Sequence, residues 1–250
     1  MNTRTSILAT AFALLAFTAP GVSAQWTISP YIWATDVGMN VSMNGQTVLD
    51  ETIGFTDLVQ DIDMALQLRI EGRRGELGVM ADLFDVRMST SGDQVYVPNG
   101  VSATLETKIR MTLIDVGGLY DPKGDGMGIT FLYGARIISQ SAKIDAAVQV
   151  DSFTVVPAAT DQSDTVVDAL IGWRYTKVIA GGWMIESQGD VTTGGTKYTW
   201  SAGGRVARSF GDRYTLSAGY RKMSIHFEDE TPAQVGMDLS GLVVGFDIGL

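Results

Sequence analysis

Residues 64–76 read MALQLRIEGRRGE, and this stretch decides the fold. Met64, Leu66, Leu68 and Ile70 fall on one face of an extended chain, and Gln67, Arg69, Glu71 and Arg73 on the other. A period of two marks a β-strand whose two faces meet different surroundings. The strand stops at a tight turn, Arg73-Arg74-Gly75-Glu76. Similar tight turns recur at Asp121-Pro122-Lys123-Gly124-Asp125-Gly126, Ala180-Gly181-Gly182 and Gly211-Asp212, and longer polar stretches alternate with them. Short turns at one rim and long loops at the other are the layout of an outer-membrane β-barrel. A soluble sandwich would instead bury the apolar face against a second sheet, and this strand alone does not separate the two.

The rest of the chain is consistent with export. Arg4, the apolar run Ile7 to Phe17 and the small-residue end Val22-Ser23-Ala24 describe a secretory signal peptide, residues 1–24, cleaved after Ala24. The run is shorter than the roughly 20 residues of a membrane-spanning helix, the alternative reading. Residues 25–250 then form a single domain. They hold no run of 18 uninterrupted apolar residues, although 45% of the whole chain is hydrophobic. There is no cysteine, which excludes disulfides, thiol catalysis and thiolate metal sites. The net charge is −10, and loss of Arg4 with the leader takes it to −11. Such a surface argues against nucleic acid as a partner.

Ten strands are expected, with eight or twelve as alternatives. An even number leaves both ends, and all the tight turns, on the periplasmic side. The first strand runs from about Trp26 to Met43, with Pro30 near its start or at a bulge, and Asn44 to Asp63 forms a loop carrying a short hairpin around Gln46 to Phe55. In the fourth, Ala103 to Tyr120, Ile109, Met111 and Leu113 are expected outward and Lys108, Arg110 and Thr112 inward, with a bulge near Asp115 where the pattern shifts phase. Ile129, Phe131, Tyr133, Ala135 and Ile137 oppose Arg136 in the fifth; Val167, Ala169, Ile171, Trp173 and Tyr175 oppose Asp168 and Arg174 in the sixth. A long loop from Ile144 to Ser163 separates these two. The seventh strand carries Glu186, Gln188 and Asp190 on one face, and the eighth Arg205 opposite Val206 and Phe210. The chain ends in a strand with Leu242, Val244, Phe246, Ile248 and Leu250 alternating, the form of C-terminal strand that barrel assembly machinery reads. Leu250 stands where most such strands end in Phe. Trp26, Tyr31, Trp33, Tyr120, Trp173, Trp183, Tyr198 and Tyr214 lie near strand ends, as interfacial girdles do.

Several short motifs look alike across a group of proteins. Ser29-Pro30-Tyr31-Ile32-Trp33-Ala34, Phe55-Thr56-Asp57-Leu58, Ala65 to Glu71, Leu77-Gly78-Val79-Met80-Ala81-Asp82, Gly172-Trp173-Arg174-Tyr175 and Gly219-Tyr220-Arg221 together resemble a family of uncharacterised proteobacterial outer-membrane β-barrel proteins. The resemblance implies the fold and the location and brings no substrate or catalytic residue with it.

Candidate chemistry is sparse. His226 is the one histidine, Ser224 shares its face two residues earlier, and Glu228, Asp229 and Glu230 follow. A serine needs a base to attack an ester, so this is the one candidate for an outer-membrane lipid- or peptide-hydrolysing enzyme. The bland reading is a solvated rim histidine, and the expectation is no enzyme. Asp50, Glu51, Asp57, Asp61 and Asp63, and Asp145, Asp151, Asp161 and Asp164, make the outer loops acidic. Their spacing matches no calcium loop, and no cofactor motif is present. The inward positions carry both charges: Arg69, Glu71, Arg73, Lys108, Arg110, Arg136, Asp168, Arg174, Glu186, Asp190 and Arg205. A barrel this narrow can be filled by its own side chains, and buried charges require partners. The leading expectation is a barrel with a structural or interaction role, a lumen filled by a charge network, and outer-membrane lipid and lipopolysaccharide as surroundings. A narrow, porin-like channel for small solutes is the runner-up.

Overall fold

The protein, in a computed structural model, is described over residues 24–43, 46–91, 95–97, 101–150, 153–227 and 233–250. The expected leader lies outside these residues apart from Ala24, as do Asp151 and Glu228 to Glu230.

The strands in chain order are β1 (Gln25–Met43), β2 (Gln46–Ile53), β3 (Ile62–Arg74), β4 (Leu77–Ser91), β5 (Val95–Val97), β6 (Val101–Tyr120), β7 (Gly128–Val150), β8 (Phe153–Val178), β9 (Trp183–Gly194), β10 (Tyr198–Phe210), β11 (Tyr214–His226) and β12 (Ala233–Gly249). Ten of them, all but β2 and β5, pair antiparallel in sequence order. β12 returns to β1, from Thr27↔Gly249 to Met43↔Ala233, and closes a barrel. β2 pairs with β1, and β5 with β6, beyond the main ladder.

The lower rim carries Gln25 and Gly249, the first and last strand residues, and the tight turns. Gly75 turns with φ 58 and Gly211 with φ 66, a left-handed backbone that glycine adopts without steric cost. In the longer turn after β6, Asp121 accepts hydrogen bonds from the N–H of Lys123 (3.0 Å) and of Gly126 (2.6 Å), which holds the turn closed. Inside the wall, a Cβ on Gly134 would run into the carbonyl oxygen of Val116, so only glycine permits that approach of β6 and β7.

Outside, an apolar band circles the barrel. Ile32, Ile129, Ile171, Val206, Leu216 and Leu242 are among its exposed members. On β7 it runs from Ile129 to Ile137, about 27 Å along the strand at ~3.4 Å per residue. A tilt of about 40° reduces this to roughly 20 Å, close to the ~25 Å of a transmembrane barrel. Tyr120 stacks on Phe131 (centroids 6.5 Å) and Tyr214 on Phe246 (5.8 Å) towards the lower rim. Arg208 lies over the rings of Trp183 (5.3 Å) and Phe210 (5.4 Å), its charge carried against the aromatic girdle.

Several sequence expectations are corrected. β6 is continuous in register with β4 and β7, with no bulge at Asp115. Leu113, Met111 and Ile109 share the inward face, and Lys108, Arg110 and Thr112 the outward one. Apolarity misassigned this strand because the upper lumen is itself apolar. The expected loop from Ile144 to Ser163 consists largely of the upper ends of β7 and β8. No alternating apolar pattern in the sequence marks those ends. Residues 44–63 likewise contain β2, a short helical turn Phe55–Leu58 and the first residues of β3 rather than one loop. The acids expected in loops therefore sit partly on strands. Tyr31 and Trp33 face the lumen and belong to no girdle.

Candidate functional site in the barrel lumen

The lumen is built in two layers. The lower layer is charged and arises because β3, β4 and β6 to β12 each turn polar residues inward at this height. One chain of alternating charge runs across it. Arg73 meets Asp121 (3.9 Å) and Glu71 (3.3 Å). Glu71 takes both terminal nitrogens of Arg174, Nη1 at 2.9 Å and Nη2 at 2.6 Å. Arg174 Nε then lies 3.7 Å from Glu186. Glu186 takes a paired contact from Arg205, Nε at 3.0 Å and Nη2 at 3.1 Å, and Arg205 reaches Asp247 at 3.6 Å. Paired contacts of this kind fix geometry as well as charge.

Two smaller groups flank the chain. Arg136 is fully buried; it donates from Nε and Nη2 to the two oxygens of Asp115, each at 2.7 Å, and its Nη1 lies 3.0 Å from Asp190. Arg69 donates to Asp82 at 3.1 and 2.8 Å, and the Tyr31 hydroxyl donates to the other Asp82 oxygen at 2.9 Å. Arg221 donates to Ser201 (3.3 Å) and lies 4.8 Å over the Trp33 ring. Between β1 and β9 to β12 a cavity of about 60 Å³ remains, lined by Tyr31, Arg69, Glu186, Arg205, Arg221 and Asp247 among others.

The upper layer is apolar. Trp33, Phe84, Leu113, Ile138, Met223, Ile225 and Leu239 form one buried cluster across the lumen, each at most 5% exposed. Trp33 meets Phe84 edge-on at 5.5 Å. These residues come from β1, β4, β6, β7, β11 and β12, so the cluster reaches most of the wall. It forms an apolar floor above the charged layer.

Arg69, Glu71, Arg73, Arg136, Arg174, Glu186, Asp190 and Arg205 are therefore brought together in the lumen. Lys108 and Arg110 are not. Arg110 pairs with Asp85 at 2.8 Å on the outer wall, beside Arg87 at 3.4 Å and Thr112 at 2.6 Å. Asp168 is buried yet joins no ion pair among the described residues. Its carboxylate accepts from the hydroxyls of Thr192 (2.8 Å) and Thr196 (2.6 Å) and from the N–H of Gly195 and Thr196 (2.8 Å each). It organises the β9–β10 turn instead.

Sequence reasoning missed Asp82, Asp115, Asp121, Asp247, Arg221 and the whole apolar floor. The hairpin register held part of the signal. With the turn at Arg74–Leu77 set, Asp82 falls opposite Arg69, and with β6 in one phase, Asp115 falls opposite Arg136.

Ser224 and His226 lie on the outer face of β11, since Ile225 between them is fully buried inside. Ser224 is opposite Asp238 of β12 and only 5% exposed. His226 stacks on Tyr198 at 4.2 Å, and its Nδ1 has no hydrogen-bond partner among the described residues.

No known family's sequence profile matches the chain, and no curated protein matches it either. Solved structures that are similar include the outer membrane protease OmpT from Escherichia coli, at 9% identity over 92% of this chain and 99% of that one, with a TM-score of 0.46. The translocator domain of the autotransporter NalP from Neisseria meningitidis is similar at 11% identity over 98% and 95%, TM-score 0.40. Ail, the attachment invasion locus protein of Yersinia pestis, is similar at 10% identity over 90% and 99%, TM-score 0.36. All three score below 0.5, and these likenesses carry no weight for what the chain does.

Proposed function

We propose that this protein is a closed barrel of a Gram-negative outer membrane, with a structural or interaction role and no conducting pore. Support for the membrane comes from the apolar band, its height and its aromatic girdle. Support for closure comes from the lumen, above all from the apolar floor of Trp33, Phe84, Leu113, Ile138, Met223, Ile225 and Leu239. Ions crossing it would shed their water among side chains that offer no replacement. The charged layer below is held by its own ion pairs and offers no free path of one sign.

An interaction role is favoured by the uneven wall. β6, β7 and β8 have 20, 23 and 26 residues, whereas β9, β10 and β11 have 12, 13 and 13. From Thr165, where the outward face of β8 turns polar, to Phe153 is about 40 Å of strand at ~3.4 Å per residue. That length stands clear of the band and presents a sheet to the outside. No catalytic role is assigned to Ser224 and His226.

Planar-bilayer recordings test the reading. Purified protein is expected to insert without steady conductance. Stable openings in most insertions would favour a narrow channel and reject it.

A further inference from the structure

One arginine of the lumen lacks a carboxylate. Arg69, Arg73, Arg136, Arg174 and Arg205 each reach an acid at 3.3 Å or less. Arg221 is equally enclosed, at 8% exposure, yet it joins no ion pair among the described residues. Its Nε donates to Ser201 over 3.3 Å, and its guanidinium lies 4.8 Å over the Trp33 ring. Its terminal nitrogens have no hydrogen-bond partner among the described residues. Asp82 shares a small crevice with Arg221 and Trp33 but is already taken, by two bonds from Arg69 and one from the Tyr31 hydroxyl.

The register explains the gap. Arg221 is opposite Gly203 of β10 and Gly241 of β12, so neither neighbouring strand sets a side chain beside it. Gly203, with Gly204 and Gly245, borders the cavity of about 60 Å³ that Arg221 also lines. The charged groups around that cavity are Arg69, Arg205 and Arg221 against Glu186 and Asp247. Three guanidiniums against two carboxylates leave one positive charge over. Arg205 and Glu186 hold each other at 3.0 and 3.1 Å, and Asp247 stands on the far side of Arg205 at 3.6 Å. The excess therefore belongs to Arg221. A cation taken out of water without an anion is costly, and a guanidinium brings several N–H donors with it.

We infer that this cavity is a binding site for a small carboxylate, of formate or acetate size, gripped through both oxygens by the terminal nitrogens of Arg221. A planar guanidinium matches the two oxygens of a carboxylate in one paired contact. A cavity of about 60 Å³ limits the guest to a few non-hydrogen atoms. Ser201 and the Trp33 ring hold the guanidinium in place before the guest arrives, so little ordering is left to be done on binding. Entry is from the lower rim. Thr27, Ser209, Thr215 and Ser217 are the small residues that face inward there, and the apolar floor closes the way above. The site thus goes beyond the closed-barrel reading without needing a path through the floor.

Isotopically labelled formate, followed by NMR, is the probe, with the full barrel purified in detergent micelles. Ionic strength is held constant with gluconate, which is too large for the cavity. Formate should bind saturably and be displaced by acetate. Arg221→Met should weaken binding at least about tenfold, the worth of one hydrogen bond to a charged group. Denaturant unfolding gives a second reading that a purely structural arginine would not. Formate should raise the midpoint of the wild type and leave that of Arg221→Met unchanged. In gluconate alone the variant should be at least as stable as the wild type, because Arg221 has no ion pair to lose. If Arg221→Met fails to migrate as a folded barrel on unheated gels, Arg221→Lys replaces it; the charge stays, the paired contact goes, and the same weakening is expected. Formate binding that does not saturate, or that the Arg221 variant leaves unchanged, overturns the proposal and assigns the cavity to water. Equal stabilisation of both proteins by formate is a general salt effect and overturns it as well. Stable conductance in bilayers would reject the closed barrel and leave this site standing, so the two readings fail separately.

Discussion

The lower and upper halves of this barrel are made from the same strands but with their faces exchanged. Below the level of Asp115 the outside is apolar and the inside charged. Above it, the inside holds Trp33, Phe84, Leu113 and Ile138, while the outside carries Asp85, Arg87, Arg110 and Thr112. No strand changes register to do this on β6. Only the surroundings change. On the proposed membrane placement the strands leave the hydrocarbon and enter water on their outer side, and the lumen becomes the place to bury apolar surface. The upper half is thus packed like a soluble protein, with its core inside. The lower half is packed like a membrane barrel, with its apolar surface outside and its polar contacts within.

The comparison can be broken most severely at Arg136. Arg136→Ala leaves Asp115 and Asp190 buried without their shared cation, and removing one partner of a buried pair costs about 3–5 kcal/mol. Denaturant unfolding in detergent or vesicles should show a large loss, and an effect under about 1 kcal/mol would mean that water already solvates the lower layer. Leu113→Ala tests the upper layer and should cost about 2–5 kcal/mol through lost burial and a cavity. It should also be the change that first admits current, because it thins the floor, whereas Glu186→Ala should lower the unfolding midpoint without opening a path. Current from Glu186→Ala alone would show that the charged layer is the seal.

Two smaller effects sharpen the contrast on the outside. Ile171→Arg puts a cation in the apolar band and should cost about 2–4 kcal/mol, read as impaired insertion or a lower unfolding midpoint. Arg110→Ala removes an ion pair of the same chemistry as those in the lumen, but from the outer wall above the band. Arg110 is itself half exposed and Arg87 stays beside Asp85, so the loss should be about 0–1 kcal/mol and the same unfolding assay should barely register it. A large loss there would place the band edge above Arg110.

Reading the strands from the chain worked wherever lipid lay on one side. Ile129 to Ile137 and Val167 to Tyr175 alternate cleanly, and Arg136 and Arg174 fall on the lumen side as expected. It failed at Leu113, whose apolar side chain points inward, and at Lys108 and Arg110, which point out. There the rule that apolar means lipid-facing no longer holds. It failed again over residues 144–150 and 153–163, where strands without apolar alternation read as a loop.

The sequence by itself determined the class of fold, the strand number, the lower rim with its glycine turns, and most of the charged residues of the lumen. Each depends on local chemistry: a period of two, a backbone that only glycine adopts, a charge on the face away from lipid. Only the tertiary structure decided which acid meets which arginine, and that a second, apolar layer closes the lumen. Those outcomes depend on register and closure around ten strands. Glu71 and Arg174 are 103 residues apart in the chain and 2.6 Å apart in the lumen, and no periodicity along the chain encodes that meeting.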